Sequence, residues 1–197
     1  PSIEIKPFDP ANARVGLTLN RYLSADYASN ATKTNRMQRA LIQAVARRPK
    51  NRLYSQGERE ETLAIFSTGE EKRKHIQGIL SKYNLEGDKE VEALMSERMQ
   101  AFFDVDEWAA DAKKNVDVLV GFRLHGNVIG LHQGIPAVFF TYDSRIRELS
   151  TLFAIPSVEV EDYMPIDLEK TFENADFSKV QHVYRLNYAE YHRFLTE

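Results

Sequence analysis

The apolar residues of this chain fall into short runs separated by longer stretches in which they recur every three or four places. The runs are Arg14 to Leu19, Arg52 to Ser55, Val118 to Val120 closed by Gly121, Ala137 to Phe140 and Ser157 to Val160, with Ala101 to Phe103 as a shorter candidate. Helical spacing occupies the intervals: Met37, Leu41, Ile42 and Val45; Ile76, Ile79 and Leu80; Val91, Leu94, Met95 and Met99; and the region of Trp108 and Ala112. Short buried runs read as strands and three-to-four spacing as amphipathic helix, so strands and helices alternate. Alternation of this kind predicts βα units and a parallel sheet.

Local chemistry sets the boundaries. Pro49 ends a helix over 34–48, with Arg47 and Arg48 in its last turn, where cations suit the dipole. Glu58, Glu60 and Glu61 sit where a first helical turn favours negative charge, and Gly87-Asp88 marks a turn between helices over 70–83 and 89–100. Asp104 or Asp106 caps the helix containing Trp108. A short helix over 166–173 starts at Asp167. A last one over 176–196 carries Phe177, Val180, Tyr184, Tyr188, Tyr191 and Phe194 as an apolar stripe that calls for a packing partner. Pro7 and Pro10 keep residues 1–13 extended, as an entry or linker segment.

Composition narrows the classes. With 197 residues, 43% of them hydrophobic and 28% charged, a sizeable core is available. No apolar run approaches a membrane span and no signal-peptide pattern precedes Ile3. The absence of Cys excludes disulfide scaffolds, thiolate nucleophiles and Cys-based zinc sites. The net charge of −3 is uneven: residues 1–50 hold nine Lys/Arg against three Asp/Glu, and residues 51–110 eight against thirteen. The basic opening suits either a phosphate-bearing ligand or a solvated helix face, and without interleaved aromatics it gives no sign of nucleic-acid binding.

The candidate chemistry concentrates between Asp117 and Leu152, where Arg123, Leu124, His125 and Gly126 follow directly on the run ending at Gly121. Open α/β sheets bind ligands at such strand exits. Arg123 beside a helix N-terminus describes an anion site, and His125 adds a group that titrates near neutrality. Equally open is the reading in which Arg123 pairs with a local carboxylate and His125 is only hydrogen-bonded. Gly126, Gly130 and Gly134 recur every four residues and allow close backbone approach. His132 reads as structural, and with no third ligand in view a His125/His132 metal pair is not expected. Asp143 and Ser144 fit an N-cap after the second apolar run, and Arg145 and Arg147, disfavoured by the dipole there, require an anionic partner such as Glu148, another domain or substrate. At the first strand's exit stand Asn20, Arg21 and Ser24.

Three separated motifs, Gly121-Phe122-Arg123-Leu124-His125-Gly126-Asn127, Gly134-Ile135-Pro136 and Tyr142 to Leu149, together with Gln56-Gly57-Glu58, the Trp108 helix and the aromatic last helix, resemble the polysaccharide pyruvyl transferase family. The resemblance implies an α/β fold with a Rossmann-like parallel sheet flanked by helices, the C-terminal half of a GT-B-like two-domain enzyme. Residues 14–197 would form that C-terminal domain, with helix 176–196 packing back toward an N-terminal domain missing from this chain.

By the same resemblance, pyruvate passes from phosphoenolpyruvate to two hydroxyls of a sugar or lipid-linked glycan, as a ketal, with no cofactor. Arg123 and the Leu124 backbone would hold phosphoenolpyruvate beside Gly126, with His125 as acid or base and Asp143, Ser144 and Arg145 lining the substrate site. A cytoplasmic protein, free or held at the inner face of the membrane, is implied. One departure stands out: family members often carry Arg directly after the first strand, and here Asn20 takes that place. Arg21, one residue later, is the candidate second clamp, although a one-residue shift turns a strand side chain to the other face. A GT-B glycosyltransferase using a nucleotide sugar, with Glu148 as ribose ligand, and a non-catalytic binding domain of the same fold are the competing readings.

Overall fold

The computed structural model describes residues 3–23, 31–160 and 166–196; Ser24, expected at the first strand exit, lies outside them. Six strands form one sheet: β1 (Val15–Thr18), β2 (Arg52–Ser55), β3 (Met99–Ala101), β4 (Val118–Gly121), β5 (Ala137–Thr141) and β6 (Ser157–Glu159). All pairings are parallel, in the order β3-β2-β1-β4-β5-β6. The order reverses direction between β1 and β4, which opens a crevice outside their carboxyl ends. The expected α/β class, with a Rossmann-like parallel sheet flanked by helices, is therefore what the chain forms.

The helices are α1 (Ala31–Ala46), α2 (Arg59–Phe66), α3 (Gly69–Lys82), α4 (Lys89–Glu97), α5 (Val105–Asn115), α6 (Leu124–His132), α7 (Ser144–Leu152), α8 (Leu168–Glu173) and α9 (Val180–Thr196). Side chains alternate across each strand, and both faces are covered. Val118 and Val120 of β4 and Val138 and Phe140 of β5 join the apolar faces of α1, α3, α4 and α8. Leu119, Ala137 and Phe139 point the other way, into a smaller core with Trp108, Leu131 and Ile146.

The register of β1 on β4 is held at both ends. At the entry, the Arg14 guanidinium donates from Nε and Nη2 to the two carboxylate oxygens of Asp117, at 2.9 and 2.6 Å, and the Arg14 backbone N–H donates to the same carboxylate. These bonds hold the Asp117 carboxyl below its usual pKa. At the exit, a Cβ added at Gly121 would lie 2.4 Å from both the carbonyl oxygen and Oγ1 of Thr18, and the Gly121 φ of 148° is one that side chains rarely adopt. Thr18 Oγ1 donates to Asn127 Oδ1 at 2.9 Å, and Asn127 Nδ2 donates to the Gly121 carbonyl at 3.2 Å. Both polar side chains are fully buried, so α6 is tied to the two strands by a satisfied network.

Several elements differ in extent from the sequence expectation: the helix expected over 89–100 stops at Glu97, where the chain turns into β3, and the one expected over 166–173 begins at Leu168. β3 begins at Met99 rather than Ala101, because Leu53 of β2 pairs with Met99 and Asp104 caps α5 through the Glu107 N–H. α1 stops at Ala46, so Arg47 and Arg48 follow the helix; its last carbonyls accept instead from Asn51, at Val45, and from Arg98, at Ala46, and Arg98 also donates to the Arg48 carbonyl just beyond. The last helix begins at Val180. The opening segment is docked along the domain: Ile3 is buried, Phe8 packs edge-on against Phe172 and Phe177, and the Lys6 N–H donates to Gly134 at 2.8 Å. Among the described residues no helix is long and apolar enough to cross a membrane.

Gly121→Ala is expected to destabilise the chain by about 3 kcal/mol, combining backbone overlap with strain at positive φ. The urea unfolding midpoint measures this; an unchanged midpoint would show that β1 and β4 can separate without loss.

Candidate functional site

The sheet register brings three strand exits level. Thr18 of β1 pairs with Tyr54 of β2 on one side and with Gly121 of β4 on the other. Two residues further along each chain stand Asn20, Gln56 and Arg123. Each carries a buried nitrogen with no hydrogen-bond partner among the described residues: Asn20 Nδ2, Gln56 Nε2 and Arg123 Nε. Trp108 Nε1, from α5, is a fourth. The Gln56 amide and the Trp108 ring both lie against Gly126, at 2.9 and 3.0 Å from where a Cβ there would sit. The remaining buried atom of this kind, Glu60 Oε2, faces the Lys82 ammonium in an ion pair. Buried polar groups are nearly always satisfied, so four orphaned donors, three of them just past level strand exits, are donors that lack an acceptor.

The N-terminus of α6 adds to them. α4, α5, α7 and α8 are each capped by an aspartate side chain. At the same position α6 has Arg123, and no side chain caps its first N–H groups. Those groups, with the positive end of the dipole, are suited to an anion. Gly126 is buried in this turn, Leu124 is half-buried and His125 is exposed.

Arg123 meets a carboxylate across the crevice: Nη2 donates to Glu58 Oε1 at 2.7 Å, with both side chains partly exposed. Glu58 precedes α2, and Glu61 lies three residues on. Glu61 is 5% exposed and accepts from Ser55 Oγ. Burial raises its pKa to about 7; the Ser55 hydrogen bond opposes the shift, the Glu58 charge adds to it, and the Arg123 and Lys82 charges oppose it. Arg21, Glu58, Glu61, Lys82 and Tyr83 line a cavity of about 220 Å³.

The loop after β1 is fixed from beneath. Gln38 Oε1 accepts from the Asn20 N–H at 2.8 Å, Gln38 Nε2 donates to the Tyr83 hydroxyl, and that hydroxyl donates to the Asn20 carbonyl at 3.1 Å. Asn20 is 2% exposed, and while its backbone is anchored its side-chain Nδ2 has no hydrogen-bond partner among the described residues. Asn20 rather than Arg21 shares the level of Gln56 and Arg123; Arg21 belongs to the neighbouring cavity.

At the exit of β5, the Asp143 carboxylate accepts from the Ile146 N–H at 2.8 Å and caps α7, while Ser144 and Arg145 are exposed at its first turn. The anion expected for Arg147 is Glu159 of β6, at 2.6 Å, rather than Glu148. His132 packs edge-on against Tyr184 of α9, remote from the first turn of α6 that carries His125.

The model of the family described as polysaccharide pyruvyl transferase matches residues 4–144, most of the chain. The chain belongs to the polysaccharide pyruvyl transferase family. It is thus a member of a transferase family whose reaction places pyruvyl groups on polysaccharide, and the matched span includes the exits of β1, β2 and β4 with every orphaned donor. No curated protein and no solved structure matches the chain.

Sequence reasoning singled out Arg123 and His125 but missed Glu61, Gln38, Tyr83 and the unpaired Asn20 Nδ2 and Gln56 Nε2. For Glu61 the available signal was its three-residue spacing from Glu58, which puts both carboxyls on one side of a helix.

The buried Glu61 sets a pH dependence. Folded, its carboxyl holds a proton up to about pH 7; its ordinary value is 4.5. Between those values the folded state binds more protons, so stability is complete below the lower value and is lost as pH rises through the upper one. Glu61→Gln is expected to remove that slope and to raise Tm at pH 8 relative to the parent. Melting curves at pH 5 and 8 measure it; parallel pH profiles for the two proteins would show Glu61 to be ionised throughout.

Proposed function

We propose that this chain forms one wall of an active site that transfers a pyruvyl group from phosphoenolpyruvate to two hydroxyls of a cell-surface glycan or exopolysaccharide precursor, producing a ketal and inorganic phosphate. The observation that carries the reading is the set of buried donors without acceptors at the exits of β1, β2 and β4, facing the side-chain-uncapped start of α6. A small, densely anionic donor substrate supplies the acceptors that those groups lack.

His125, exposed on the first turn of α6, stands beside this surface and can give up a proton within it. In the proposed reaction His125 protonates the methylene carbon of phosphoenolpyruvate, and positive charge develops at the carbon bearing the phosphate ester. A sugar hydroxyl oxygen bonds to that carbon and its proton returns to His125. A second hydroxyl oxygen then displaces the phosphate, which leaves with the electron pair of its C–O bond and takes up the proton of that hydroxyl. Arg123, the Leu124 N–H and the α6 dipole hold the anionic groups throughout, with Gly126 allowing their close approach. Arg21, Ser144 and Arg145 line the rim, while Asp143 acts by fixing the start of α7.

The other wall comes from a second domain in a GT-B-like arrangement. The exposed apolar residues of α9, Leu186, Tyr191, Phe194 and Leu195, are the surface suited to meet it; Phe194 is 78% exposed. Use of phosphoenolpyruvate assigns the reaction to the cytoplasm or the inner face of the membrane.

His125→Ala in the complete enzyme is expected to lower phosphate release from phosphoenolpyruvate and glycan acceptor at least about 100-fold, with phosphoenolpyruvate binding little changed. Near-normal turnover would remove His125 from the chemistry. Arg123→Lys is expected to weaken phosphoenolpyruvate binding about tenfold, because a point charge cannot reproduce the guanidinium fork. Calorimetric titration checks this, and equal affinities would show that Arg123 does not hold the donor substrate.

A further inference from the structure

Arginine presents its donors in a flat fork, and the edge formed by Nε and Nη2 can receive two oxygens of a single oxyanion. In Arg123 that edge is half used. Glu58 Oε1 accepts from Nη2 at 2.7 Å, while Nε is buried with no partner among the described residues. A carboxylate bound through one oxygen thus leaves a desolvated N–H unmet, which an anion spanning both nitrogens would satisfy.

Glu58 is placed to give way. Its side chain is 38% exposed, and its only ion pair among the described residues is the one with Arg123. It also occupies the N-cap position of α2, yet its side chain makes no capping hydrogen bond. On leaving Arg123 the carboxylate can turn toward water or back over the first N–H groups of α2, where negative charge is favoured. Glu61, on the same side of the helix, adds a second carboxyl close by and does not hold Glu58 in place.

We propose that Glu58 is a specificity-determining residue of the anion site: an internal carboxylate that a ligand must displace from Arg123. Oxyanions able to fill both Nε and Nη2 and carrying a second negative charge are admitted. Singly charged carboxylates can reach both nitrogens but bring no second charge to offset the displacement of Glu58, and are turned away. The inference rests on the reading of Arg123 as the clamp for the donor substrate.

The test is a titration of the chain and of Glu58→Gln with phosphoenolpyruvate, inorganic phosphate and acetate at fixed pH and ionic strength. Heat of binding is one readout, and fluorescence of the single tryptophan, Trp108, against Gly126, is the other. Glu58→Gln is expected to bind phosphoenolpyruvate and phosphate about tenfold more tightly and to gain proportionally more affinity for acetate, so that the preference for phosphate narrows. Melting curves establish that the variant is folded, and Glu58→Ala is read in the same way, so that a defect in one variant does not decide the result. Unchanged or weaker phosphate binding by the folded variants, with binding by the parent intact, overturns the role of Glu58 and leaves the anion site standing. Phosphate binding by Arg123→Ala equal to that of the parent, or binding by none of these proteins, overturns the site itself and this proposal with it.

Discussion

The close approach of β1 and β4 at Thr18 and Gly121 is the constraint on which the site depends. Because Gly121 has no side chain, Thr18 can turn its hydroxyl to Asn127, which in turn binds the Gly121 carbonyl. The start of α6 is thereby held at a fixed height above the switch in strand order. The Arg14–Asp117 pair secures the opposite end of the same two strands. With the register locked at both ends, Asn20, Gln56 and Arg123 arrive level with one another, and a one-residue slip of any strand would carry one of them to the other face.

The unsatisfied groups of the described chain gather at this level. Four helix starts carry an aspartate cap, Asp88, Asp104, Asp143 and Asp167 each accepting a backbone N–H, whereas α2, α3 and α6 have no side-chain cap. An arginine at the start of α6, followed by a half-buried leucine, an exposed histidine and a buried glycine, departs from that pattern where the buried amides also lack partners. Such departures from local stability rules cluster at functional sites, where a ligand completes what the fold leaves open. Nearby carboxylates moderate the positive charge: Glu58 lies on Arg123 and Glu60 faces Lys82, while Glu61, buried on Ser55, holds its proton up to about pH 7.

Much of the fold was legible from periodicity. The runs at 118–121 and 137–141 were bounded to within a residue, because fully buried parallel strands are continuous apolar runs and their flanks carry Gly, Pro or Asp. β3 was misplaced because its three residues are defined by pairing with β2, and the adjoining Phe102 imitates a strand residue while packing beside Tyr54 and Trp108. Arg123 and His125 were visible because they follow a strand without interruption. The partners around them were not. Glu58 lies 65 residues from Arg123 in sequence, and Asn20 meets Tyr83 across 63. Arg147 was offered Glu148 as its anion, yet pairs with Glu159, which comes within reach only because β6 adds to β5. Contacts of this kind depend on strand order, which local spacing does not encode.

The same separation governs how the site can be altered. The side chains that hold it, Thr18, Gln38, Asn127 and Tyr83, are buried and bonded to two or more elements, so changing them disturbs the register before it disturbs any ligand. The side chains that would act, Arg123 and His125, occupy a helix start, His125 exposed and Arg123 half-buried on Glu58, with little apolar area at stake. Asn20 stands between the two groups, since its backbone belongs to the scaffold while its amide belongs to the donor set. A chain that anchors the main chain of a residue from beneath and leaves its side chain unpartnered has fixed the direction of a donor before its acceptor arrives. Such preorganisation would let the proposed site hold a charged ligand in one orientation.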